Sequence, residues 1–321
     1  MPVISSTYKP SFLFKNAHFN TVYKTLFFDH PSNYHRKRIE TPDKDFLDLD
    51  FSTVNSSTLV IANHGLEGSS NSKYMWSLIN HLNAQNMDAI AVNFRGCSGE
   101  DNKQPYAYNS GKTDDITVII DYILNNYSYK NIVLVGYSMG GNIALKYLGE
   151  TDVPTEIKGA ITISVPCDLE GCSNTLTHWS NRIYLNSFLK TLKEKTLFKI
   201  QKFPNSRLDT TAIVNAKTFE DFDNAVTAPL FGYKNAKDYW TQCSSKQFLP
   251  AIKIPTLLIN AKDDTFLSKS CFPFKEATKN SKLYLETPKY GGHVGFNTTA
   301  VGKDPLWSEN RVTSFIQHII S

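Results

Sequence analysis

Cysteine is scarce and scattered in this 321-residue chain: Cys97, Cys167, Cys172, Cys243 and Cys271 form no C-x-x-C pair and have no His-rich partner segment. A disulfide scaffold is excluded, and reduced thiols are expected. Long apolar runs are missing as well. No window approaches the ~20 apolar residues that span a bilayer, and residues 1–20 lack a basic stretch followed by an apolar one. Neither a membrane helix nor a secretory signal is expected, and the chain reads as soluble and cytoplasmic. Charge of one sign is also in short supply, since 34 Lys and Arg stand against 30 Asp and Glu, leaving +4. Without a Lys/Arg run, nucleic acid is not an expected partner. Repeats and low-complexity tracts are absent, which removes solenoids, collagen and disorder. Signatures of bound groups fail too. Neither G-x-G-x-x-G nor H-E-x-x-H occurs, and Gly111-Lys112-Thr113 has Tyr106 where a P-loop needs its first glycine. His30 and His35 have no further ligands at metal spacing. No cofactor and no metal is implied.

What is there suits one large α/β domain. A chain of this length buries roughly three quarters of its unfolded surface and needs no staples. Residues 36–40 and 46–51 read as two opening strands around the turn Thr41-Pro42-Asp43. From residue 58 the pattern alternates: strand 59–62, helix 73–84, strand 89–94, helix 113–127, strand 131–136, helix 142–148, strand 159–165. Thr113, Asp114 and Asp115 supply a cap and first-turn acids for the fourth of these. Strand-helix alternation implies a mostly parallel sheet with helices on both faces. Residues 166–248 interrupt it with aromatics, Lys and Asn, and are expected to form a mainly helical insertion over one end of the sheet. Alternation then resumes with strand 255–260, helix 269–278, strand 282–286, a Gly-rich loop and helix 307–320.

Gly136-Tyr137-Ser138-Met139-Gly140 lies between the apolar run 132–135 and a helical segment. This is a G-x-S-x-G nucleophile elbow in its required strand-turn-helix context. The turn is so tight that side chains at Gly136 and Gly140 would collide with backbone, while Ser138 must project outward. A serine hydroxyl needs a base within hydrogen-bond reach and a third group to orient that base. In this architecture the chain order is serine, acid, histidine. Downstream of Ser138 stand His178 in the insertion, His293 in the loop after the last strand, and His318 in the terminal helix. His293 occupies the place where the base belongs.

For the acid, Asp263 and Asp264 both follow the strand 256–259. Relatives of this fold place the acid just before a proline and an apolar pair, which favours Asp264, followed here by Thr265-Phe266-Leu267. Asp263 would then cap the turn or the next helix, and Asp168, after the preceding strand, stays as a third candidate. Acyl transfer also needs two donors where the oxyanion develops. The Met139 N–H supplies one, and the turn His64-Gly65-Leu66-Glu67-Gly68 offers the Leu66 N–H as the second.

Together these motifs resemble the AB hydrolase 4 family of α/β-hydrolases, which takes in YheT-like and ABHD-type members. The resemblance covers nearly the whole chain. It rests on Asn16-Ala17-His18 with Thr21-Val22-Tyr23, on Asn63 to Ser70, Asn93 to Glu100 and Ser110 to Asp115, and on the elbow. It continues through Thr227-Ala228-Pro229-Leu230, Asn260 to Phe266 and Gly291 to Phe296. It implies the α/β-hydrolase fold, with Ser138, Asp264 and His293 as relay residues acting on carboxylic esters of short to medium acyl chains. Thr265 departs from the family's proline after the acid, and the membrane anchor of the eukaryotic members has no counterpart. A small-molecule ester is the expected partner, leaving peripheral membrane contact open.

Three functions compete: an esterase, an acyltransferase in which an alcohol replaces water, and a binding protein on a hydrolase scaffold. In this fold the insertion at 166–248 hangs over the nucleophile as a lid. Its segment 183–189 carries apolar residues on one helical face, with Lys190, Lys193 and Lys195 free to snorkel to water. Trp179 and Phe188 are the expected walls of an acyl pocket.

Overall fold

The computed structural model describes residues 3–206, 208–299 and 306–321. Its strands are β1 (Val3–Ile4), β2 (His35–Glu40), β3 (Phe46–Ser52), β4 (Thr58–Asn63), β5 (Asp88–Asn93), β6 (Asn131–Tyr137), β7 (Ile157–Ile163), β8 (Thr256–Ile259) and β9 (Leu283–Glu286). They form one sheet in the order β1-β9-β8-β7-β6-β4-β5-β3-β2. All neighbours run parallel except β2 on β3 and β3 on β5, which are antiparallel. The alternation read from residue 58 onward therefore has the expected outcome, a mostly parallel sheet.

Strand periodicity sorts side chains onto two cores. In β4, Leu59 and Ile61 join the cluster that contains Ile116, Ile119, Ile120 and Ile123 of α3 (Asp114–Asn126). Val60 and Ala62 face the other way, against Met75, Leu78, Ile79 and Leu82 of α2 (Lys73–Ala84) and Val312 and Phe315 of α12 (Trp307–Ile320). The four isoleucines of α3 fall at i, i+3, i+4 and i+7, a single helical stripe. Both faces of β4 are thus covered, as a parallel sheet requires. Thr113 departs from expectation: its side chain makes no cap hydrogen bond to α3 and instead binds Glu150.

The first α-helix, α1 (Ala17–Phe27), is capped by the Asn16 side chain, which accepts from the Phe19 N–H at 2.9 Å. After β6, α4 (Met139–Glu150) begins three residues earlier than its apolar pattern suggests. Between β7 and β8 the chain is helical throughout its regular elements. They are α5 (Leu169–Leu176), α6 (Arg182–Lys202), α7 (Thr210–Asn215), α8 (Phe219–Phe222), a π-helical turn at Asp223–Thr227, α9 (Ala228–Phe231) and α10 (Ala236–Cys243), with 3₁₀ turns at Trp179–Asn181, Pro204–Ser206 and Ser245–Ala251. The helix expected at 269–278 is split into a 3₁₀ turn at Lys269–Cys271 and α11 (Phe274–Lys279). Pro273 between them removes an N–H donor and clashes with a continuous helix. Among the described residues no helix is long and apolar enough to cross a membrane.

Candidate active site

Ser138 is the single residue between β6 and α4, with φ +51° and ψ −120°. Such a conformation in a non-glycine residue is strained by about 1–3 kcal/mol and persists because the surroundings over-determine it. Those surroundings are close. A Cβ at Gly136 would lie 2.6 Å from the Gly140 carbonyl oxygen, and one at Gly140 would lie 2.4 Å from the His64 carbonyl oxygen. Only glycine at both places lets β6, the elbow and the 64–68 turn approach this tightly.

His293 and Ser138 meet across 155 residues of sequence: Nε2 of the ring lies 2.9 Å from the Ser138 Oγ. On the other side of the ring, Nδ1 lies 2.9 Å from Oδ2 and 3.1 Å from Oδ1 of Asp264. These contacts suit a neutral imidazole protonated at Nδ1, which donates to the carboxylate and leaves Nε2 to accept from the serine hydroxyl. The other two acid candidates are engaged elsewhere. Asp263 Oδ1 accepts from the Gly292 N–H at 3.0 Å, and burial pushes its carboxyl up, with the Asp264 charge adding to that and the Gly292 N–H opposing it. Asp168 caps α5, accepting from the Gly171 N–H at 3.1 Å, and also accepts from the Ser270 hydroxyl.

Two supports of His293 escaped sequence reading. Its backbone N–H donates to the Thr21 Oγ1 at 2.9 Å, and that hydroxyl donates to the Ala17 carbonyl at 2.7 Å, so α1 carries the loop. Its ring is stacked on Phe266 at 4.3 Å between centroids. The only advance signal was the motif Asn16-Ala17-His18 with Thr21, which spacing alone could not connect to a loop 272 residues away.

The 64–68 turn is held from within by His64. Its Nδ1 lies 2.7 Å from the Gly65 carbonyl, and its Nε2 accepts from the Phe94 N–H at 3.2 Å. Burial pushes this imidazole down to about 4, so it is a neutral strut. Beside it, Leu66 lines the same cavity as Ser138 and Met139.

A family model for the alpha/beta hydrolase fold matches residues 58–296. YheT of Escherichia coli K12 is 31% identical over 318 residues, covering 97% of this chain and 93% of that protein. The chain belongs to the α/β hydrolases, in the YheT and ABHD branch. The mouse phospholipase ABHD3 is 29% identical, over 99% of this hydrolase and 80% of its own length. The Pyrococcus furiosus esterase Pf2001 matches in fold with a TM-score of 0.63 at 19% identity, over 90% of this chain and 92% of that one. Hydrolase activity is what this membership carries.

Beside the serine the hydrolase has a cavity of about 540 Å³, well within the size range of small-molecule sites. Ser138, His293, Leu66 and Met139 contribute to its wall together with Phe188, Phe219, Phe222 and Leu230 of the helical segment. Trp179, expected beside Phe188, is elsewhere. It is 80% exposed and takes no part in the cavity, because the 3₁₀ turn at Trp179–Asn181 precedes α6 and points its ring outward. Ile183 is likewise exposed, so the apolar face of α6 is carried by Leu185 and Leu189. Of the three lysines expected to snorkel, Lys190 is exposed, Lys193 donates to the Val214 and Ala216 carbonyls, and Lys195 pairs with Glu67 while its side chain stays 40% exposed. Asn142 of α4 is buried and ties the insertion down, donating to the Ser110 and Cys243 carbonyls and accepting from the Ser245 N–H. Among the described residues no three His, Cys, Asp or Glu side chains gather as metal ligands would.

Proposed function

We propose that this hydrolase is a serine esterase working through an acyl-enzyme, with Ser138 as nucleophile, His293 as base and Asp264 as its orienting acid. The observation that carries the reading is the hydrogen-bonded run Ser138 Oγ, His293 Nε2, His293 Nδ1, Asp264 at the wall of an apolar cavity. Ser138 attacks the ester carbonyl while Nε2 takes its proton. The imidazolium, stabilised by Asp264, returns that proton to the leaving alcohol. Water activated by the same nitrogen then hydrolyses the acyl-serine. The N–H groups of Leu66 and Met139 receive the oxyanion, which lowers the barrier by several kcal/mol. The segment 166–248 serves as the lid, and its aromatic wall holds an acyl chain of short to medium length. All five cysteines are free and buried, which suits a reducing compartment, and we place the enzyme in the cytoplasm.

The test is labelling with a fluorophosphonate probe, followed by hydrolysis of p-nitrophenyl esters of increasing chain length with and without an added alcohol. Labelling that vanishes in Ser138→Ala supports the reading, and unchanged labelling in that variant sinks it. An ester product that accumulates with the alcohol at the expense of free acid would instead point to acyl transfer.

A further inference from the structure

The helical segment between β7 and β8 has a core of its own. Leu185 and Leu189 of α6 pack with Ile213, Ala216, Phe222 and Val226, all from the same segment. A unit with its own core shifts as a body when its attachments allow it. On one side of α6 those attachments are ionic. Lys195, Lys199 and Lys202 follow one another at i, i+4 and i+7, a single helical face, and all three reach onto the parent domain. Lys199 and Lys202 lie 3.2 and 3.0 Å from the Asp101 carboxylate, and Lys199 also donates to the Gln104 carbonyl at 2.7 Å. The loop they grip is fixed from beneath, since Asn102 donates to Asp45 and to the Phe46 carbonyl at 2.8 Å.

Lys195 reaches a different place. Its Nζ lies 3.0 and 3.2 Å from the two carboxylate oxygens of Glu67, the residue after Leu66. Glu67 has φ +55°, a left-handed backbone conformation that few residues other than glycine adopt. Tyr108 holds it there with one hydroxyl, which accepts from the Glu67 N–H at 2.8 Å and donates to its Oε1 at 2.6 Å. The Glu67 side chain is only 6% exposed, and Lys195 is its salt-bridge partner among the described residues. The Cys97 thiol, 3.7 Å from the same ammonium, is pushed by burial up to about 12 and adds no negative charge of its own near neutrality. A nearly buried carboxylate that loses its ammonium is left uncompensated, which favours rearrangement of the turn that carries it.

We infer that Glu67 and Lys195 are a positioning pair that couples the seating of α6 to the aim of the Leu66 N–H. With α6 docked, the ammonium holds the carboxylate, the left-handed turn is kept, and the amide before it points at the carbonyl beside Ser138. With α6 lifted, the same turn is released and the donor loses its aim. Binding of an acyl chain against α6 and stabilisation of the oxyanion are thereby linked through one ion pair. This inference rests on the reading of Leu66 as an oxyanion donor.

Lys195→Met keeps the aliphatic stem, and Glu67→Gln keeps the shape and the Tyr108 contact. Each is expected to lower kcat on p-nitrophenyl acetate about tenfold with KM within about twofold, because only the transition-state donor is disturbed. The double variant should be no worse than the poorer single one, and Lys195→Arg should restore most of the rate. Amide hydrogen exchange should rise together in α6 and in residues 64–68 of Lys195→Met. A lowered melting temperature with kcat unchanged and exchange at 64–68 unchanged would assign the pair to structure alone and overturn the coupling. Additive losses in the double variant would overturn it as well. Should the wild type hydrolyse no ester and leave Ser138 unlabelled, the esterase reading fails, and the exchange experiment still decides whether α6 and the turn are coupled.

Discussion

Asp263 and Asp264 are sequence neighbours that hold His293 from two sides, one through its ring and one through its loop. Asp264 lies 2.9 Å from Nδ1 of His293, while Asp263 accepts from the N–H of Gly292, the residue before it. Asp264→Asn presents the ring with an amide, favours the wrong tautomer and leaves the imidazolium without a counter-charge. The expected loss in kcat is on the order of 10³ to 10⁴. Asp263→Asn keeps an oxygen for the Gly292 N–H and should lose no more than about tenfold. Steady-state kinetics of the two purified variants on one activated ester check the ranking, and the reverse order would move the acid to Asp263.

Ser138→Ala and His293→Ala should each abolish ester hydrolysis while the fold, read by circular dichroism, stays intact. In the proposed mechanism both side chains act in the same transition state, so the double variant should be no worse than either single one, each losing about a thousandfold or more. A variant retaining more than about a tenth of wild-type turnover would be removed from the relay.

Thr21 supports the same histidine from α1. Thr21→Val removes both the acceptor for the His293 N–H and the donor to the Ala17 carbonyl, whereas Thr21→Ser keeps both. The first should lower kcat roughly tenfold and the second should stay near wild type, with KM little changed in either. Equal rates for the two variants would make the hydroxyl dispensable.

The elements that sequence reading captured are those whose signal is local and whose surroundings are uniform. Ile116, Ile119, Ile120 and Ile123 sit on one stripe whatever they pack against, and β4 is apolar because both its faces are covered. The elbow was legible because Gly136 and Gly140 are required by the same turn that carries Ser138. Orientation toward a distant partner was not legible. Lys195 reads as a snorkelling lysine until Glu67, 128 positions earlier, is placed beside it. Trp179 and Phe188 are equivalent as aromatic residues, and only the break between the 3₁₀ turn and α6 sends one outward and the other into the cavity. Thr21 stands in a legible motif, but its role is hidden for the same reason, since its partner lies in the last loop.

Two buried groups make stability depend on pH with opposite signs. Asp223 accepts from the Thr227 hydroxyl at 2.5 Å and from Trp240 Nε1 at 2.8 Å, and burial pushes its carboxyl up to about 6. An aspartate in the unfolded chain titrates near 3.9. Between these values the folded state binds more protons, so this residue's contribution falls as pH rises. His64 is pushed down to about 4 from an unfolded value near 6.5. Across that window the unfolded state binds more protons, so its contribution rises with pH. Asp223→Asn removes the first effect and leaves the second. The melting temperature of Asp223→Asn relative to wild type should therefore become more favourable from pH 4 to pH 7, even if the lost Trp240 hydrogen bond lowers both values. A constant difference across that range would show that Asp223 does not carry a raised pKa.

Phe188 and Trp179 allow the proposed acyl pocket to be tested against its own control. Phe188 lines the cavity with Ser138, and its ring lies 6.3 Å from the rings of both Phe219 and Phe266, the latter stacked on His293. Each methylene buried against such a wall adds about 0.8 kcal/mol of binding until the chain meets the end of the pocket. kcat/KM should therefore rise from acetyl through butyryl or hexanoyl esters and fall for long chains. Phe188→Ala opens space in the wall, so the optimum should move to esters longer by about two to four carbons, with loss of rate on the shorter ones as their contact is removed. Trp179 is outside the cavity, and Trp179→Ala should leave the profile where it was. The comparison separates a wall from a packing element: Phe188→Ala also loosens the helical segment, but loosening alone lowers rates on all esters together and leaves the optimum in place. A parallel fall across the series in Phe188→Ala, or a shifted optimum in Trp179→Ala, would place the acyl chain somewhere other than against α6.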